Sequence, residues 1–128
     1  MSGAAPMTNA MTVDVEDYFQ VQAFTHCVEK SSWEHRPSRV EANVDRILRL
    51  FDDAGIKATF FTLGWIAVRH PEMVRRIVQA GHELASHGWD HTRADVQDAD
   101  GQPNAAARGS QGVSLQNLVA KRRRPDLV

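Results

Sequence analysis

A chain of 128 residues, 42% hydrophobic and 24% charged, holds at most one domain with a real core and is short for an enzyme barrel. Its formal net charge of −1 excludes a nucleic-acid binder that works by bulk electrostatics. The lone cysteine, Cys27, excludes an internal disulfide framework and fits a reducing compartment.

Residues 1–10 are small and polar, with neither a basic n-region nor an apolar h-region. No run approaches the ~18 apolar residues that would cross a bilayer. The expectation is therefore a cytoplasmic chain with no membrane span, no nucleic-acid partner and a flexible N-terminus over 1–10. Met11 to Val15 fits a buried strand, and the period of two places Asp14 and Glu16 on one side. Gln20 to Arg36 is irregular and reads as a loop that packs on the body through Phe24 and Trp33. Ser38-Arg39-Val40-Glu41 has the form of a capping box, in which Ser38 and Glu41 satisfy each other's backbone donors at a helix start. Val40, Val44, Ile47, Leu48 and Phe51 then form one helical stripe, and Gly55 stands where a left-handed residue ends it.

Ala58 to Leu63 is rich in aromatic and β-branched residues and predicts a buried strand. After a turn or helix start at Gly64-Trp65, Pro71 suits the first turn of a second helix. That helix is expected to bury Met73 or Val74, Ile77 and Val78 and to stop at Gly81. His82 to Ser86 is a short strand that leads into His87. Strand, helix, strand, helix, strand with short connections is the pattern of a parallel α/β sheet or barrel. Residues 94–128 contain no aromatic residue and end in the basic run Lys121-Arg122-Arg123-Arg124; they read as a disordered, low-complexity tail.

Two clusters carry the chemistry. The first strand ends in the carboxylates Asp14, Glu16 and Asp17, and Ser86-His87-Gly88-Trp89-Asp90-His91 holds two imidazoles four residues apart. Parallel α/β architectures gather functional groups at the carboxyl ends of strands, where both clusters lie. One carboxylate and two histidines make a three-ligand set for a divalent metal, and a second carboxylate beside them can act as a general base. His87 and His91, at i and i+4, are expected on one face of a helical turn, with Ser86 and Asp90 orienting the imidazole N–H groups. Neither cluster is specific by itself; their joint placement points to metal-assisted hydrolysis.

These residues resemble the polysaccharide deacetylases, the NodB-homology group of carbohydrate esterases. Among them the chain is most similar to the subgroup found with exosortase-type exopolysaccharide systems. The resemblance runs over 11–93: Thr-Val-Asp-Val-Glu-Asp-Tyr-Phe at 12–19, Lys-Ala-Thr-Phe-Phe at 57–61, Leu-Gly-Trp at 63–65 and Gly-His-Glu-Leu-Ala-Ser-His-Gly at 81–88. It implies the N-terminal portion of a distorted (β/α) barrel, a divalent metal such as Zn2+, and hydrolysis of N-acetyl groups on a glycan. It also implies Asp14 as general base, His87 and His91 as metal ligands, and Glu16 or Asp17 as the acidic ligand, with same-face geometry favouring Glu16. Trp89, inside the ligand turn, is a candidate for substrate contact.

The family's later motifs, which close the barrel and supply the general acid, are not recognisable after Arg93. The expectation is a partial domain with impaired or absent activity and self-association through exposed sheet edges. The alternatives are an allantoinase-like amidohydrolase of the same fold and a non-catalytic metal-binding or interaction module. His26, His35, His70 and His82 are expected in surface or packing roles, and Cys27 as an inert buried or half-buried thiol.

Overall fold

The computed structural model describes residues 7–92. The tail expected over 94–128 lies outside the described residues, as does most of the expected flexible N-terminus. Three strands, β1 (Thr12–Val15), β2 (Thr59–Thr62) and β3 (Glu83–Ser86), form a parallel sheet in the order β1-β2-β3. The first crossover carries α1 (Val40–Ala54); the second carries α2 (Gly64–Arg69) and α3 (Pro71–Gln79). Asp14 pairs with Phe61 and Phe61 with Ala85, whereas Val13 pairs with Phe60 and Phe60 with Leu84.

That register divides the sheet. The face of Val13, Val15, Phe60 and Leu84 packs into one core with Val40, Val44, Met73, Val74 and Ile77 from α1 and α3. Phe60 is wholly buried, with the Phe51 ring 6.2 Å away; burying one such side chain contributes about 1.5–3 kcal/mol. The other face carries Asp14, Phe61 and Ala85. Phe61 is only half-buried there, and Leu48 is half-buried at the rim of the core. Val78 departs from the expected core, at 38% exposure, because it lies about 100° round the helix from Ile77.

The Ser38–Glu41 capping box does not form. α1 starts at Val40, and no side chain of its own caps it. Its cap is Asp17, whose Oδ2 accepts from Ser38 Oγ at 2.7 Å, Arg39 N at 2.8 Å and Val40 N at 3.2 Å. A carboxylate there satisfies open helical N–H groups and meets the positive end of the helix dipole. Glu41 turns instead to α3, where Arg76 donates to Glu41 Oε1 and Asp45 Oδ1, both at 2.9 Å. The Arg76 guanidinium holds the Glu41 carboxyl below its usual range.

Between β1 and α1 the chain makes two 3₁₀ segments, Gln22–Phe24 and Lys30–His35. The second buries Trp33, whose ring centroid lies 5.5 Å from that of Trp65 and 6.0 Å from that of Phe19. Cys27 is exposed rather than buried. Among the described residues no helix is long and apolar enough to cross a membrane.

Candidate metal centre

Glu16 is the first residue past β1 and His87 the first past β3. The ladder carries on beyond the strands: Leu63 N donates to Val15 O at 3.3 Å and His87 N to Thr62 O at 3.1 Å. Strand alternation therefore keeps Asp14, Glu16 and His87 on the face of Phe61 and Ala85.

The segment that brings His91 back to them is not a helical turn. Gly88 has φ 79° and His91 φ 61°, and a non-glycine residue in that region costs about 1–2 kcal/mol unless its surroundings hold it. The opening N–H groups of α2 grip the turn: Gly64 N donates to Gly88 O at 2.9 Å and Trp65 N to Trp89 O at 3.0 Å. Half-buried Trp89 packs on Gly64 so closely that a methyl on Gly64 would lie 2.5 Å from Trp89 Cε3.

Ser86 and Asp90 do not orient the imidazoles. Ser86 Oγ accepts from Gly88 N at 3.2 Å. Asp90 Oδ1 accepts from Thr92 N at 3.1 Å, and Asp90 Oδ2 from Lys30 Nζ at 2.7 Å. Burial works against the Asp90 charge, but these donors outweigh it and hold the carboxyl below its usual range.

Glu16, His87 and His91 each offer one ligand atom, all within 4.8 Å of one another. His91 Nε2 lies 2.8 Å from His87 Nε2 and 3.0 Å from Glu16 Oε2. A single ring N–H cannot serve both acceptors, and among the described residues Glu16 Oε2 is buried without a hydrogen-bond partner. A shared cation satisfies all three atoms. Tetrahedral ligands at about 2.0–2.1 Å from one ion lie roughly 3.3 Å apart, so the two His91 separations need only a few tenths of an ångström of splay to match those around a shared ion. Asp14 Oδ2 stands beside the group, 3.9 Å from His87 Nε2.

Asp17 is not among them. It is 2% exposed and its Oδ2 is committed to the start of α1. The period of two that favours Glu16 for the site face sends Asp17 the other way, and its partners at 38–40 show what it does there. Next to His91 lies a pocket of about 280 Å³, walled in part by Phe19, Val28 and Trp33.

The family model for polysaccharide deacetylases matches residues 21–121. The chain belongs to the polysaccharide deacetylase family. This match runs past residue 93, the end of the stretch expected from the sequence motifs. A peptidoglycan-N-acetylglucosamine deacetylase of Listeria monocytogenes is 43% identical over 42 residues, which span 33% of this chain and 9% of that protein. A chitooligosaccharide deacetylase of Sinorhizobium fredii is 33% identical over 76 residues, 59% of this chain and 30% of that one. The structure of the peptidoglycan deacetylase PdaC from Bacillus subtilis superposes with a TM-score of 0.56 at 20% identity, over 88% of this chain and 42% of that chain. The described strands and helices of this polysaccharide deacetylase chain are thus the N-terminal portion of the family's (β/α) barrel, and the chain spans less than half of each of these proteins.

Proposed function

We propose that the cluster is the metal-binding and base-bearing part of a centre that hydrolyses N-acetyl groups on a polysaccharide. The observation that carries this reading is Glu16 Oε2, buried with no hydrogen-bond partner among the described residues and grouped with two imidazole nitrogens within 4.8 Å, with Asp14 alongside. Glu16, His87 and His91 would hold a divalent ion, zinc by the chemistry of the donor set. When bound, such an ion polarises an acetamide carbonyl and lowers the pKa of a coordinated water. Asp14, on the same sheet face, is placed to take the proton from the attacking water. Trp89 offers a ring beside the ligands for a sugar to stack on.

An N-acetylated glycan is the substrate class we assign, as the relatives' names include peptidoglycan N-acetylglucosamine and chitooligosaccharide. The resemblance over 11–93 to the subgroup found with exosortase-type exopolysaccharide systems leads us to place the glycan among exopolysaccharides. We also propose that the 128-residue chain alone turns over poorly. Asp14 keeps 56% of its side chain exposed, and charge stabilisation in high dielectric is weak.

Calorimetric titration with zinc tests the metal reading. One ion per chain is expected, with binding strongly weakened in both His87→Ala and His91→Ala; unchanged affinity in both variants would remove the site.

A further inference from the structure

We infer that Lys30 is a positioning residue for His91, clamping the metal-ligand turn from the segment between β1 and α1; this rests on the metal reading above. Lys30 Nζ donates to Asp90 Oδ2 at 2.7 Å and to Thr92 Oγ1 at 2.5 Å. One ammonium group thereby holds the residues on both sides of His91, across sequence separations of 60 and 62.

The hold falls where it is needed. α2 grips the turn only as far as Trp89 O, and His91 two residues later has the left-handed φ of 61°. The base of the clamp is fixed, because Lys30 opens the 3₁₀ segment whose Trp33 is buried against Phe19 and Trp65. Lys30 also places a positive charge against the Asp90 carboxylate, next to the ligand. The side chains of Lys30 and Asp90 are 48% and 25% exposed, and pairs so exposed add little to global stability. Their contribution is therefore expected in the placement of the imidazole, and the ligand set should register it when fold stability does not.

Cobalt(II) titration of the full chain, followed by visible absorption, separates these roles. Lys30→Met is expected to weaken cobalt binding roughly 10- to 100-fold, the range seen when groups that orient metal ligands are lost. Its cobalt spectrum should move towards that of His91→Ala, while the metal-free melting temperature stays within about 4 °C. Lys30→Arg, which keeps charge and donors, should recover most of the affinity. If Lys30→Met does not fold, Asp90→Asn reads the same contact from its other side and should show the same loss. Unchanged cobalt affinity and spectrum in the folded variant overturn the clamp and leave the metal reading standing. A wild-type chain that binds no cobalt overturns both.

Discussion

Glu16 and Asp17 are adjacent carboxylates with opposite destinations. Glu16 Oε2 lies 3.0 Å from His91 Nε2, and Asp17 Oδ2 lies 2.8 Å from Arg39 N at the start of α1. The alternation that ends β1 sends one side chain to the site face and the next into the body. Asp17→Ala is therefore expected to destabilise the metal-free chain by about 2–3 kcal/mol, as a buried charged cap is lost. Glu16→Gln should leave metal-free stability unchanged or slightly raised, because an amide costs less to bury than a carboxylate and His91 Nε2 stays within hydrogen-bond reach, and should abolish tight zinc binding. Denaturant unfolding in chelator, set beside zinc titration, checks the pair; a reversed pattern would exchange the two roles.

What the sequence made legible follows from periodicity. The alternation through Asp14 and Glu16, the stripe from Val40 to Phe51 and the β-branched and aromatic run at 58–63 depend only on local repeat, and they place two strands and the helix between them. The stop at Gly55 is likewise local, since its φ of 66° suits a residue without Cβ. Groups settled by distant partners were not legible. Ser38 and Glu41 have capping-box spacing, but a carboxylate 21 residues before Ser38 takes the hydroxyl and Arg76 takes Glu41. The same holds for His87 and His91, whose four-residue spacing suggests a helix, although backbone donors from α2 draw the turn into another shape. Lys30 gave no signal at all, because its partners lie 60 residues or more away.

Gly64 couples the fold to the site. A Cβ there would meet the Trp89 ring at 2.5 Å, so Gly64→Ala must displace Trp89 and with it the turn that carries His91. The expected cost is about 1–3 kcal/mol of stability, as in overpacked cores, together with weaker zinc binding. Thermal unfolding and zinc titration of Gly64→Ala would check this. A variant with unchanged affinity would show that the turn is held without that contact.

His82 sets an expectation for pH. Its Nδ1 accepts from Ala58 N at 3.2 Å, which requires the ring to be unprotonated at that atom. Burial pushes the imidazole pKa down and Lys57 adds to this, with Asp52 opposing. The neutral ring is thus favoured in the folded chain, and the unfolded chain takes up the proton first. The stabilisation is fully present above the ordinary histidine value of about 6.5 and is lost as pH falls below it. With chelator present, the wild-type melting temperature should drop more steeply between pH 7.5 and 5.5 than that of His82→Gln. Parallel pH profiles would exclude His82 as the source.

The base assignment makes the most demanding prediction. Asp14 Oδ2 is 3.9 Å from His87 Nε2, near enough to reach a water shared with the ligands and outside the three-atom set itself. Asp14→Asn should therefore leave zinc affinity within about threefold while removing a proton acceptor, and general bases of this kind contribute roughly 10²–10⁴ in rate. The 128-residue chain alone is expected to release acetate from chito-oligosaccharides at or near background. Joining the segment that follows the histidine motif in a full-length relative to residues 1–93 should restore turnover, and Asp14→Asn in that chimera should remove it again by at least about a hundredfold. Full activity in the Asn variant would take the base role from Asp14. Robust, chelator-sensitive turnover by the 128-residue chain would show that the site works without the joined segment.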